Sequence, residues 1–214
     1  MVEELFQGLG RWAVTAWPRG NPCARRRGPD IPADWSLRAV SPGDAGLIQE
    51  FVRALSPRTR SFRYFSGVAE LPPDQLARTL HAGERALTLL AFAGEGARRS
   101  LIGLAEYAAS GVEGECEFAL VLDDWQGRGV GRWLLERLEC FARRAGFTAL
   151  AADALTENRP MVRLARSRGF AVGPHPDDAR LLRVHKPLAA VHGVAGEGRA
   201  RKLYRMLLRG ARPA

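Results

Sequence analysis

Apolar positions along this chain change period several times, and each change marks an element. Over residues 36–40 they alternate with polar ones, which predicts a first strand. Ser41-Pro42 with Asp44 then starts a helix, the proline lying near its first position. Leu47, Ile48, Phe51, Val52 and Leu55 follow at helical spacing. Ser56-Pro57 caps a short second helix, in which Arg58, Arg60 and Arg63 alternate with Phe62, Tyr64 and Phe65. A third helix covers 73–82 with Leu76 and Leu80 inward. Residues 86–93 are too few and too apolar for a surface helix and read as a buried strand. Strands over 101–108 and 115–122 come next, behind glycine-bearing turns at 94–96 and 111–114. Strands in succession with short turns predict an antiparallel meander.

The second half of the chain is patterned differently. Over 130–145, Val130, Trp133, Leu134, Leu138, Phe141 and Ala142 fall on one helical face. Arg132, Glu136, Arg137, Glu139, Arg143 and Arg144 are placed mostly outside, with Glu139 and Arg143 at the i,i+4 spacing of a surface pair. Gly146 ends this helix. A strand over 148–154 is reached by that helical crossover, so it should run parallel to the strand before it. A helix from Pro160 to Arg168 stops at Gly169, and strands over 170–172 and 181–185 close the sheet. The fold class is therefore α/β (α+β), a mixed sheet with an antiparallel N-terminal part. The folded domain spans 35–188. Residues 1–34 read as a flexible basic extension, interrupted by proline and glycine and carrying Arg25-Arg26-Arg27. Residues 189–214 read as a basic tail that turns helical over 199–209, with Leu203, Met206 and Leu207 on one side.

Between the strand at 115–122 and the helix at 130–145 lies Asp123-Asp124-Trp125-Gln126-Gly127-Arg128-Gly129-Val130-Gly131-Arg132. Three glycines alternate in a strand-to-helix turn, where backbone can approach a ligand closely. The first amides of the helix point into such a turn, and the helix dipole adds positive potential, a combination that binds phosphate. Arg128 and Arg132 suit a polyphosphate. No Lys-Ser/Thr follows the last glycine, so this is not a P-loop. The spacing G-x-G-x-G also fails the dinucleotide fingerprint. A glycine-rich turn with no ligand is the plain alternative.

Composition narrows the setting. With 214 residues and 46% hydrophobic content there is material for one ordinary domain with tails. No run reaches the ~20 apolar residues of a spanning helix. Met1-Val2-Glu3-Glu4 lacks the basic-then-apolar order of a secretion signal. Cys23, Cys116 and Cys140 form neither a disulfide framework nor a zinc pattern; Cys116 and Cys140 read as buried reduced thiols, and a cytoplasmic location follows. Net charge is +9, which favours anionic partners. The positive charge is arginine except for Lys186 and Lys202, and no basic-and-aromatic array for single-stranded nucleic acid is present. His81, His175, His185 and His192 have no metal-ligand spacing, so no metal is expected.

The loop with Gln126, its preceding strand and its amphipathic helix resembles the acetyl-CoA pyrophosphate loop of the GCN5-related N-acetyltransferases. The order of elements over about 35–188 is similar too, as is the run Glu157-Asn158-Arg159-Pro160-Met161 through Arg168-Gly169-Phe170. The segment Leu55-Ser56-Pro57-Arg58-Thr59-Arg60-Ser61-Phe62-Arg63-Tyr64-Phe65-Ser66 resembles one in bacterial protein lysine acetyltransferases. The resemblance implies a GNAT fold, with a mixed sheet of about six to seven strands flanked by about four helices. It implies acetyl-CoA as cosubstrate, held by Gln126, Gly127, Arg128, Gly129, Val130, Gly131 and Arg132. Val121 would give backbone contacts to pantetheine, and Asn158 would meet the CoA arm. It implies Glu117 as general base, with Glu115 on the same face and Glu106 on the neighbouring strand. Many members carry a Tyr four residues before the Gly-Phe turn; here Ala165 stands there. The implied partners are acetyl-CoA and an amine acceptor, a protein lysine being favoured. A small-molecule amine acetyltransferase and a non-catalytic acyl-CoA sensor are the alternatives.

Overall fold

The computed structural model describes residues 32–189 apart from 84 and 124–126. The two predicted tails lie almost wholly outside that span. The sheet has the strands β1 (Ser36–Ala39), β2 (Ala86–Ala93), β3 (Ser100–Ala109), β4 (Glu115–Leu122), β5 (Ala149–Leu155), β6 (Ala171–Pro174) and β7 (Leu181–Pro187). Their order is β1-β2-β3-β4-β5-β7-β6. All neighbours are antiparallel except β4 and β5, which are parallel as the helical crossover requires. The helices are α1 (Ala45–Ala54), α2 (Pro57–Tyr64), α3 (Pro73–Leu80), α4 (Val130–Arg144) and α5 (Arg159–Ser167). Five α-helices are thus described where about four were expected. The predicted start at Pro42 is a separate 3-10 turn, Pro42–Asp44, ahead of α1.

Strand alternation divides the core. On β4, Cys116 and Phe118 face α4, joining Leu134, Leu138, Phe141 and Leu150 in one cluster. Val121 faces the other way, with Leu90, Leu104, Ile48, Phe51 and Val52 beneath α1. Burying each such side chain stabilises by about 1.5–3 kcal/mol. Trp35 closes the first cluster by packing on Trp133, with ring centroids 5.8 Å apart.

Charge completes what burial begins. Asp44 is buried and receives Arg38 through two contacts of 2.6 and 2.7 Å, plus the Ser41 amide at 2.7 Å. Burial alone would raise its pKa, but Arg38 and Ser41 together hold it below the ordinary carboxylate value. On α4, Arg137 and Glu139 are buried, against the expected outward placement. Glu139 pairs not with Arg143 but with Lys186 Nζ at 2.7 Å and Arg168 Nε at 3.4 Å. Those partners arrive from β7 and the end of α5, so they answer a carboxylate that helical period alone assigns to solvent. Cys116 is buried and free, and burial pushes its thiol up to about 12. Cys140 is only half-buried and is disulfide-bonded, which corrects its reading as a reduced thiol; its partner falls outside the described residues.

Helix α2 has no fully buried residue. Polar contacts hold it. The Ser56 hydroxyl accepts from Thr59 N at 3.1 Å. Arg60 Nη1 donates to the carbonyls of Leu55 and Arg53 at 2.5 and 3.1 Å. Arg63 pairs with Glu106 of β3.

Candidate functional site

The parallel pair β4–β5 is short. It registers only Glu115 with Ala149, Cys116 with Leu150 and Glu117 with Ala151. Beyond that point β4 stays on β3 as far as Leu122, and β5 stays on β7 as far as Leu155. The facing edges at 118–122 and 152–155 therefore diverge. A diverging parallel pair leaves main-chain donors and acceptors that an extended ligand can meet as an added strand would.

One groove of about 260 Å³ runs from this divergence to the start of α4. It is lined by Thr59, Phe62 and Arg63 of α2, by 120–122 of β4, by Gly127, Gly129, Gly131 and Arg132, and by Asn158 and Met161. Gly127 and Gly129 have φ of 84° and 89°, and a Cβ at either would meet nothing within 4 Å. The backbone needs glycine there, and the space in front of it is open. Gly131 differs. It is buried, and a Cβ would lie 3.1 Å from Leu122 Cδ1 and 3.2 Å from Leu164 Cδ2, so it lets α4 pack closely. Trp133 N donates to Gly129 O at 3.0 Å, the first turn of α4. The amides of 130–132 precede the helical ladder and have no acceptor within it. With the helix dipole and the exposed Arg132, this cradle fits a pyrophosphate.

The other predicted ligand residues sort by geometry. Val121 is buried on the α1 side, and its backbone lies on the groove edge. Val130 is fully buried, so only its main chain can face a ligand. Arg128 is exposed. Asn158 lines the groove and caps α5: Met161 N donates to its Oδ1 at 3.2 Å, leaving the amide nitrogen as its donor. Gln126 lies outside the described residues.

A second cleft of about 340 Å³ abuts the first and shares Phe62, Arg63, Leu120, Asn158 and Met161 with it. Three carboxylates line this cleft, Glu106, Glu117 and Asp153. Glu106 is paired with Arg63. Asp153 meets Arg183 Nη1 at 3.1 Å and His175 Nε2 at 3.6 Å. Glu117 is exposed and makes no hydrogen bond or ion pair among the described residues. Glu115, on the same face, is instead buried between Arg183 at 3.3 Å and His185 at 3.5 Å. Partial desolvation alone would lower Arg183; Asp153, Glu115 and Glu117 hold it above its ordinary value.

Potential acids are few. Tyr107 lines the cleft wall but is buried, and burial drives its phenol up from its ordinary value. Tyr64 is pushed up to about 12 by burial, which the neighbouring Arg63 only partly offsets. Ala165 is fully buried in the core and offers no hydroxyl.

The pattern of the sequence missed two features of the site. Asp153 had a signal, being the only acid on the strand predicted over 148–154 to run parallel to the one that carries Glu117. The Arg63–Glu106 pair was not, since it joins residues 43 apart.

Known proteins share this fold. The acetyltransferase (GNAT) family matches residues 53–170. A curated acetyltransferase of Pseudomonas aeruginosa is 31% identical over 145 residues, covering 67% of this chain and 78% of that one. The crystal structure of the GNAT domain of S. lividans PAT superposes with a TM-score of 0.63 at 23% identity, covering 71% of this chain and 89% of that one. The Vibrio cholerae spermidine N-acetyltransferase, solved with CoA and spermine, gives a TM-score of 0.56 at 20% identity, covering 73% and 97%. Family match and curated relative agree: the chain belongs to the GNAT family of N-acetyltransferases, enzymes that draw their acetyl group from acetyl-CoA.

Proposed function

We propose that the protein acetylates lysine side chains of other proteins, with Glu117 as general base. The observation that carries this reading is the state of the second cleft. Its two other carboxylates are neutralised by Arg63 and Arg183, and Glu117 stands exposed at its wall, unpaired among the described residues. An open, charge-balanced cleft suits an acceptor presented on a polypeptide. A site for a small polyamine is expected to keep several carboxylates free for its ammonium groups.

Acetyl-CoA brings the acyl group already activated as a thioester. The chain's own residues do the rest. Gly127, Arg128, Gly129, Val130, Gly131 and Arg132 form the pyrophosphate loop, mainly through backbone amides. The edge of β4 around Val121 hydrogen-bonds the extended arm, and the Asn158 amide meets it from the other side. Main-chain N–H groups at the diverging strands polarise the reacting carbonyl. Glu117 takes the proton of the acceptor ammonium, directly or through one water. Ala165 supplies no proton, so solvent does. A free thiol titrates near 8.5, so near neutral pH a dedicated acid is dispensable.

The spermidine N-acetyltransferase among the structural neighbours keeps the small-amine reading in view. The deciding experiment follows CoA release with lysine-bearing peptides and with spermine as acceptors. Faster turnover on spermine than on every peptide would replace the lysine reading. Tight CoA binding without release to any amine would instead make the domain an acyl-CoA sensor.

A further inference from the structure

Phe65 ends α2 in the left-handed region, with φ 55° and ψ 17°. It is the one non-glycine residue at positive φ among the described residues. A bulky side chain is disfavoured there, and glycine is the usual occupant of such a helix end. Burial does not account for the ring either. Phe65 is 51% exposed, one of two large hydrophobic side chains left open among the described residues. The other, Val112, lies on the turn between β3 and β4, away from both clefts. Phe65 lines the second cleft beside Phe62, in the same cleft as Glu117. The Arg58 guanidinium lies 5.1 Å from the Phe62 ring centroid, on the solvent side of α2. A glycine would suit this backbone and a polar residue this exposure, so the ring has a use that the fold alone does not supply.

Lysine has a particular shape. Its apolar stem of methylenes ends in a compact cation, and the stem packs on apolar surface while the cation stays polar. An aromatic rim with a carboxylate beyond it matches that order of groups, and ring faces also attract the cation on its way in. We propose that Phe65 is a specificity-determining residue for the acceptor, its ring packing on the aliphatic stem of a substrate lysine and guiding the amine toward Glu117. This rests on the lysine-acceptor reading above.

The test compares Phe65→Gly, Phe65→Ala and Phe65→Tyr in the full chain, with a lysine peptide and with ethylamine, which lacks the long stem. Gly and Ala both remove the ring, but only Gly relieves the backbone. Both should raise KM for the peptide about tenfold. KM for acetyl-CoA and turnover on ethylamine should stay within about twofold, and Phe65→Tyr should restore most of the peptide KM. Phe65→Gly should melt about 2–4 °C above Phe65→Ala, reporting the strain that the ring is kept in spite of. An unchanged peptide KM, an equal loss on ethylamine, or equal melting of the Gly and Ala variants would each overturn the proposal. Wild-type protein that acetylates spermine but no lysine peptide would show instead that the underlying acceptor reading fails, before any variant is made.

Discussion

Replacing Glu117 with Gln tests the proposed chemistry directly. The side chain is exposed and unpaired, so the amide should fit without disturbing fold or CoA affinity. A positioned general base contributes about 10²–10⁴ in rate, or about 2.7–5.4 kcal/mol of barrier. Among the described residues no donor fixes the Glu117 carboxylate, which argues for the low end, near 10². The pH dependence sharpens the test. A lysine amine titrates near 10.4, so at pH 7.5 only about one part in a thousand is neutral. Without a base the variant depends on that fraction, and its rate should climb about tenfold per pH unit up to about pH 10. The wild type should climb less steeply, so the gap between them should narrow as pH rises. Stopped-flow or thiol-trapping measurement of CoA release from pH 7 to 10, with peptide and acetyl-CoA both saturating, reads this out. Glu106→Gln and Glu115→Gln should behave differently. Glu106 anchors α2 through Arg63, and Glu115 is enclosed by Arg183 and His185, so their losses should appear in KM or stability. A Glu117→Gln variant turning over within twofold of wild type at pH 7.5, beside an inactive Glu106→Gln, would refute the assignment.

Gly129→Glu places a side chain and a negative charge where φ is 89° and the phosphate cradle opens; CoA affinity by calorimetry should fall more than about a hundredfold while the circular dichroism spectrum is kept. Gly131 is the poorer test, since any side chain there meets Leu122 and Leu164. Asp44→Asn should destabilise by about 2–4 kcal/mol in denaturant at pH 7. Because the folded-state pKa of Asp44 is depressed, its contribution is present above the unfolded value near 3.9 and is lost as pH falls through the folded one, so the gap between wild type and variant should begin to close near pH 4 and go on closing below it. A chain beginning at Asp34 keeps Trp35 on Trp133 and should bind CoA as the full chain does; insoluble or non-binding protein would show that the leader packs on the core.

Much of this site could be read from the chain because its signals are local. The strand, the three glycines and the amphipathic helix occupy consecutive residues, and period-2 alternation sets Glu117 apart from Cys116 and Phe118. The illegible parts are those settled by distant partners. Glu139 sits at a surface period on α4, yet Lys186 and Arg168 make it a buried ion. Glu106 is indistinguishable from Glu117 as a strand carboxylate until Arg63 folds over it. Gly131 looks like a third phosphate-loop glycine and is a packing position as well, because Leu164 arrives from a helix 33 residues on. The sequence marks Asn158 by its resemblance to a CoA-arm residue, but its task as the cap of α5 depends on backbone geometry.

The three-pair seam between β4 and β5 also has a mechanical meaning. Under a pulling force, a seven-stranded sheet yields where the fewest hydrogen bonds share the load, and here that place is the middle, not an edge. A ligand arm bonded to both diverging edges would act as a rivet across the weakest line of the molecule. The stiffness of the whole sheet would then report occupancy of the site, and in a single-molecule stretching experiment the loaded enzyme would tear at a higher force than the empty one.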